Sequence, residues 1–265
     1  MGHPPRAYAA ALALTVLGGL LVLAISGRSD RGGVAPDAGA APLPASPPPA
    51  LRIGRPLPLP TSRFLSRWTA VRRPTIARAQ PDRRARAVAR LARKTPEGTA
   101  NVVTVLEATI DGAGRMWVRV RLPVLPNGTM GWVQRRALGA YHAVRTRLVV
   151  DRAALTAVLY RNGELAFSAP VGVGTEAWPT PRGIFAVRSK LTRYRSPFYG
   201  PLAFGTTARS AVLTDWPAGG FVGIHGTNEP ELIPGRVSHG CIRMRNEDIV
   251  QLGRLLPIGT PLTIL

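Results

Sequence analysis

Three turn dipeptides constrain the fold of this chain more than any other local feature. Asp111-Gly112, Asn127-Gly128 and Asn162-Gly163 each separate short segments in which apolar and polar residues alternate, most strictly over Met116–Leu122. Such dipeptides favour the tight turns of antiparallel hairpins, because their residues tolerate the positive φ angles that these turns require. We therefore predict a mainly β chain.

The sequence pattern predicts two folded units that differ in their secondary structure. Residues 62–142 predict an Arg-rich segment followed by a small β-barrel domain, with strands at Asn101–Ala108, Met116–Leu122 and Met130–Val133. Residues 143–265 predict a larger β unit with one helix, whose N-cap is Asn246 and whose stop is Pro257. Its predicted strands are Leu155–Tyr160, Glu164–Ala169, Ile184–Arg188, Ala211–Leu213, Phe221–Ile224 and Leu262–Leu265.

The N-terminus predicts attachment to a membrane. Residues 8–26 form an uncharged apolar run, and a membrane-spanning helix needs about 17–25 such residues. We expect residues 1–31 to be a transmembrane anchor with the remainder outside the cytoplasm, in the cell wall or periplasm. A cleaved signal peptide and secretion stay open, with Ala24-Ile25-Ser26 as the cleavage site. Residues 32–61 are rich in Pro and Ala and predict an extended linker.

The positive charge of the chain indicates a polyanionic partner. The formal net charge is +21, and eleven basic residues but one acid, Asp82, lie between Thr61 and Thr95. Outside the cytoplasm this block favours anionic wall polymers or lipid head groups. A second interpretation is that the arginines only fill solvated positions. Only two aromatic residues, Phe64 and Trp68, lie among them, fewer than base stacking along a strand would favour, so we expect no nucleic-acid partner.

Cys241 is the only cysteine in the sequence. A single thiol in an exported chain cannot form an internal disulfide, and with histidines nearby it becomes a candidate nucleophile. It follows Ser238, His239 and Gly240 directly, and His225 lies at the end of an apolar strand upstream. An inert buried cysteine and a zinc site built from His225, His239 and Cys241 are the alternatives.

Each neighbour of the thiol suggests a role in acyl transfer. His225 can take the thiol proton and return it to a leaving amine. Gly240 frees the backbone so that N–H groups can converge on an oxyanion, while Ser238 and His239 orient the base or shape the site. Arg243 is a candidate to bind a substrate carboxylate in bidentate fashion.

These residues make residues 144–265 resemble the L,D-transpeptidase catalytic domain of the YkuD type. The family pattern is a histidine, a gap of about a dozen residues and then Ser/Thr-His-Gly-Cys, matched here by His225 and residues 238–241. Residues 170–174 and 179–183 fit its upstream pattern. Arg243 is a departure, since part of the family has Asn there. The segment LPVLPNGTMGWV, within the small domain, resembles bacterial SH3-type wall modules.

The resemblance implies a β-sandwich catalytic domain and a role in cell-wall biogenesis and cell shape. Cys241 would attack the third residue of a peptidoglycan tetrapeptide stem, expel the terminal D-alanine and pass the acyl group to a neighbouring stem as a 3→3 cross-link. The family assigns Cys241 as nucleophile and His225 as proton carrier, needs no metal or organic cofactor, and reacts with carbapenems. A Cys-His peptidase or amidase that hydrolyses wall peptides, and a non-catalytic wall-binding protein, remain alternatives.

Overall fold

A computed structural model describes residues 56–59, 65–192, 196–213 and 220–265. All of them belong to one compact unit, Pro49–Leu265. The predicted anchor, residues 1–31, lies outside the described residues, as does the predicted linker apart from residues 56–59. Within the described part of the chain, the structure contains no helix that is both long and apolar enough to cross a membrane.

The first sheet of the described chain has eight strands. Their hydrogen-bonded order is β4-β3-β7-β6-β5-β2-β8, and β1 pairs with β5. Their bounds are β1 Leu57–Pro58, β2 Ser66–Val71, β3 Thr75–Arg78, β4 Ala87–Leu91, β5 Val102–Ile110, β6 Met116–Arg121, β7 Met130–Gln134 and β8 Leu138–Val144.

Strands β2 to β4 lie in the Arg-rich segment, where the turn pattern predicted none. Ala77 of β3 and Leu91 of β4 point into the small core, while Arg86 and Arg90 stay exposed at the edge of the sheet. Charged side chains on an edge strand discourage pairing with other chains. The arginines therefore belong to a folded sheet rather than to a tail.

The second sheet has ten strands in the order β11-β10-β9-β18-β13-β14-β15-β17-β12-β16. Their bounds are β9 Thr146–Asp151, β10 Thr156–Arg161, β11 Glu164–Pro170, β12 Gly172–Gly174, β13 Gly183–Leu191, β14 Ala203–Arg209, β15 Phe221–His225, β16 Gly235–Ser238, β17 Ile242–Arg243 and β18 Pro261–Ile264; the α-helix, α1, spans Asn246–Leu255. Mainly β structure with one α-helix is thus confirmed for the described residues.

One apolar cluster joins the ten-stranded sheet to the helix. Ile249 and Leu252 of α1 are fully buried, and they pack in the same cluster as Phe204 of β14 and Ile224 of β15. Burial of such a side chain stabilises the fold by roughly 1.5–3 kcal/mol. Strands β15 and β17, which carry the candidate site, are therefore buried strands inside the sheet rather than at its edge.

Two local predictions in this unit are wrong. Residues 211–213 form a bend instead of a strand, because Ser210 Oγ accepts hydrogen bonds from the N–H groups of Val212 and Leu213, at 3.2 and 3.0 Å. The N-cap of α1 is Arg245 rather than Asn246. Asn246 Oδ1 instead accepts the backbone N–H of Thr227 at 3.0 Å, so its side chain holds the loop that follows β15.

Candidate functional site

The predicted nucleophile and base lie on two neighbouring parallel strands. β15 pairs with β17 in parallel, with His225 opposite Arg243. Cys241 directly precedes β17 and so lies level with Gly223, two residues before the histidine. Alternate residues of a strand share one face, which places positions 223 and 225 on the face where the cysteine sulfur lies.

Cys241 presents a protonated sulfur to the site. Its Sγ accepts a hydrogen bond of 3.3 Å from the backbone N–H of Gly223, and the residue is half-buried. Burial raises the pKa of the Cys241 thiol, while the Gly223 N–H and the charge of Arg243 act in the opposite direction. A thiol held in this form needs a base to become a nucleophile.

Gly223 keeps the space between sulfur and imidazole open. A Cβ at this position would lie 3.9 Å from Cys241 Sγ and 3.8 Å from His225 Cδ2. The sulfur and the ring edge therefore border the same small volume. Because Cδ2 is bonded to Nε2, this edge of the ring is the one that can receive the thiol proton.

His225 is a buried, neutral imidazole in a fixed orientation. Its Nδ1 lies 2.6 Å from the carbonyl oxygen of Gly226, and its ring contacts Tyr199 at a centroid distance of 4.6 Å. A carbonyl can only accept, so Nδ1 carries the proton and Nε2 is left as a base. Burial lowers the pKa of His225 to about 4, so the ring is neutral at neutral pH and its Nε2 is unprotonated.

Ser238 fixes the turn that carries the nucleophile. Its Oγ donates to the carbonyl of Cys241 at 2.5 Å and accepts the N–H of Gly240 at 3.1 Å. Gly240 has φ of +109°, a conformation that side chains rarely permit. Gly240 therefore shapes the turn, while its own N–H is already bound to Ser238.

Thr180 is a buried positioning residue whose role was not predicted. Its Oγ1 accepts the N–H of Gly174 at 2.8 Å and donates to the carbonyl of Gly240 at 2.9 Å. The hydroxyl thus ties β12 to the nucleophile turn from a position 1% exposed. The only sequence signal was its place within residues 179–183, where Pro179 and Pro181 flank it.

His239 lies beside the nucleophile on the solvent side. Its ring contacts that of Trp178 at a centroid distance of 4.3 Å, and both side chains are exposed. His239 lines the cleft, and its site-shaping role stays a prediction.

Arg243 lines the site and forms an ion pair with an acidic residue. The side chain is buried, its Nη1 lies 2.8 Å from Glu229 Oε2, and its guanidinium lies 5.5 Å from the ring centroid of Phe198. Glu229 lies in the segment between β15 and β16, and this ion pair brings that segment to the site. Binding of a substrate carboxylate by Arg243 stays a prediction. The carboxylate would bind a guanidinium that is already paired with Glu229.

A narrow cleft contains the sulfur and the imidazole. Among the described residues it is lined by Phe198, Tyr199, Ser210, Leu213, Gly220, Phe221, Val222, His225, Ser238, His239, Cys241 and Arg243. The structure thus brings together every residue predicted for the site except Gly240, which lies in the turn before Cys241 but does not line the cleft. The zinc alternative requires three ligands close together, and the described His, Cys, Asp and Glu side chains form no such group.

The second unit of this chain matches proteins of a known family. Residues 145–264 match the family model YkuD, described as the L,D-transpeptidase catalytic domain. A Bacillus subtilis protein assigned as the L,D-transpeptidase YkuD is 35% identical over 46% of this chain and 68% of its own length. Its Bacillus licheniformis counterpart is 34% identical over 44% of this chain and 64% of its own length.

Solved structures of the same class also match. The crystal structure of an Enterococcus faecium L,D-transpeptidase mutant is 23% identical over 45% of this chain and 49% of that chain, with a TM-score of 0.37. The chain spans about half of that protein and about two thirds of the two Bacillus relatives. On the family model and the sequence similarity, this chain belongs to the YkuD family of L,D-transpeptidases, with the catalytic domain in residues 145–264.

Proposed function

We propose that this chain is a peptidoglycan L,D-transpeptidase that forms 3→3 cross-links by acyl transfer through Cys241. One observation carries the proposal: the sulfur of Cys241 and the ring edge of His225 border one small open volume beside Gly223. The substrate is inferred from family membership, and the chemistry from this arrangement.

The first half-reaction uses the neutral imidazole. Nε2 of His225 takes the thiol proton as Sγ bonds to the carbonyl carbon of the third stem residue. The resulting oxyanion requires backbone donors, for which the N–H of Cys241 is the candidate, because Ser238 already binds that of Gly240. Collapse breaks the C–N bond, and His225 returns the proton to the departing D-alanine amine.

The second half-reaction runs the same proton path in reverse. The side-chain amine of a neighbouring stem attacks the thioester and loses a proton to His225. The C–S bond breaks, and the sulfur recovers a proton from the imidazolium. Water in place of the amine would give hydrolysis, which is the peptidase or amidase alternative.

The decisive experiment compares products. The full chain and its Cys241→Ala variant are incubated with a disaccharide-tetrapeptide and read by mass spectrometry. We expect a cross-linked dimer and free D-alanine from the wild type and neither from the variant. Tripeptide alone would support a hydrolase, and unchanged substrate would support a non-catalytic wall-binding protein; either result would contradict the proposal.

A strained acyl donor tests the nucleophile without a stem peptide. A β-lactam carbonyl of the carbapenem type needs only the first half-reaction, so the proposal predicts a covalent adduct on Cys241. Intact-protein mass spectrometry should show one carbapenem mass per wild-type chain. Adduct formation on the Cys241→Ala variant would contradict the assignment of the nucleophile.

The proposal extends to the rest of the chain. Residues 1–31 anchor it in the membrane, residues 32–61 act as a spacer, and the small domain is an SH3-like module that meets anionic wall polymers or lipid head groups. The apolar run 8–26 and the exposed Arg86 and Arg90 support these assignments. Deleting residues 1–31 should move the protein from the membrane fraction to the soluble fraction of cells.

A further inference from the structure

Phe221 forms part of the cleft wall beneath two arginines. The guanidinium carbon of Arg188 lies 3.6 Å from its ring centroid, and that of Arg209 lies 4.8 Å away. Arg209 is also the direct partner of Phe221 between β14 and β15. Cations over an aromatic face are attracted to it, most strongly where water is excluded, so these arginines fix where the ring stands.

Both arginines are held by residues of the small domain. Glu97 Oε1 lies 2.5 Å from Nη2 of Arg188, whose side chain is 2% exposed. Asn127 donates from Nδ2 to the carbonyl of Arg209 at 2.7 Å, and its Oδ1 accepts the N–H of Arg209 at 3.1 Å. A carboxylate and a carboxamide from two turns of the small domain thus hold two strands of the second sheet.

Phe221 belongs to β15, the strand that also carries His225. Phe221, Gly223 and His225 occupy alternate positions of β15 and therefore share one face. Gly223 donates to the sulfur of Cys241, and His225 is the base. Phe221, Gly223 and His225 therefore form one row on the same strand. The small domain holds the Phe221 end of that row.

We infer that Glu97 and Asn127 are positioning residues of the active site, which set Phe221 as the wall against which the peptide acyl donor binds. The small domain is then a component of the substrate cleft in addition to any wall-binding role. This inference rests on the proposed function, because it concerns how the acyl donor is received.

The test uses the full chain with Glu97→Gln and Asn127→Ala, and with Glu107→Gln as the matched control. Glu107 pairs with Arg119 at 3.0 Å within the small domain, so its loss removes an ion pair without touching the second sheet. Two rates are measured for each protein: kcat/KM with the tetrapeptide donor, and alkylation of Cys241 by iodoacetamide. The small alkylating reagent reports on the sulfur and does not need the wall.

We expect kcat/KM to fall at least tenfold in both variants, mainly through a higher KM, with alkylation within twofold of wild type. The control should keep both rates. Values of kcat/KM within twofold of wild type would overturn the inference, as would parallel changes in both rates. If Glu97→Gln does not fold, Asn127→Ala decides alone, because it leaves the buried ion pair intact.

A second variant shows whether the two residues act through the ring. In a Phe221→Leu background, adding Asn127→Ala should change kcat/KM by less than twofold, because the positioned group is already gone. If Asn127→Ala lowers kcat/KM by the same factor in the Phe221→Leu background as in the wild type, the inference is overturned. Absence of turnover in the wild type is a separate result, which would reject the proposed function itself.

Discussion

The backbone N–H of Gly223 donates a 3.3 Å hydrogen bond to the sulfur of Cys241. Gly223 thereby serves two purposes at once, since its missing side chain also leaves the path from sulfur to His225 clear. A residue with no functional group of its own thus lies at the centre of the site.

Substitution of Gly223 by Ala should separate these two purposes. The new methyl would lie 3.8–3.9 Å from His225 Cδ2 and Cys241 Sγ, which is ordinary contact, so the fold should persist. Because the methyl stands between nucleophile and base, we expect carbapenem acylation to slow by about 10- to 100-fold. Gly112→Ala, with open space around it, is the control. An unchanged rate in Gly223→Ala would show that the proton takes another path.

Removal of the base should reduce acylation much further. His225→Gln keeps a polar side chain without a basic nitrogen, and loss of a general base costs about 10²–10⁴-fold. The rate of adduct formation near neutral pH measures the effect. His142→Gln is the matched control, since that ring stacks on Trp68 in the small domain. A loss of less than tenfold in His225→Gln would assign the base elsewhere.

The rate of acylation should persist in mildly acidic solution. Burial lowers the pKa of His225 to about 4, so the base stays unprotonated well below neutral pH. We expect the wild-type rate to decline only as the pH approaches that value. Stopped-flow acylation between pH 3.5 and 8 measures the profile. An acid limb centred near 6.5, the ordinary histidine value, would contradict the burial argument.

The same shift predicts how stability depends on pH. The unfolded chain binds a proton at His225 below its ordinary pKa of 6.5, whereas the folded chain does so only near 4. Protons therefore favour the unfolded state in this window, and stability falls as the pH drops from 6.5 to 4, by about 3 kcal/mol from this group. Urea unfolding at pH 7 and pH 4 should show a smaller decrease for His225→Gln. Equal decreases would contradict the prediction.

Thr180 should contribute to both stability and activity through its hydroxyl. Thr180→Val keeps the shape but leaves the N–H of Gly174 and the carbonyl of Gly240 unpaired, at a cost of about 1–3 kcal/mol. Thr180→Ser retains the oxygen and should stay close to wild type in acylation rate. Urea unfolding and carbapenem acylation measure the two effects. Similar behaviour of Val and Ser would show that only packing matters at this position.

Much of the fold followed from local pattern, and each of the two errors has a side-chain hydrogen bond as its cause. The turns at Asn127-Gly128 and Asn162-Gly163 led to the correct hairpin strands, because these dipeptides act within a few residues. The strand predicted at Ala211–Leu213 failed because Ser210 captures two N–H groups there. Asn246 failed as a helix cap because its side chain binds Thr227, a partner 19 residues away.

The candidate site, too, could be predicted only in part from the sequence. By itself the sequence determined the family, and its one thiol, a histidine and the Ser-His-Gly-Cys run predicted a nucleophile and a base. Only the tertiary structure decided that Gly223 contacts the sulfur, that Thr180 supports Gly240, and that Glu97 and Asn127 contact the two arginines beside Phe221. The physical reason is that residue types set which reactions are possible and act locally, whereas these contacts join strands far apart in the chain and exist only once the sheets have formed.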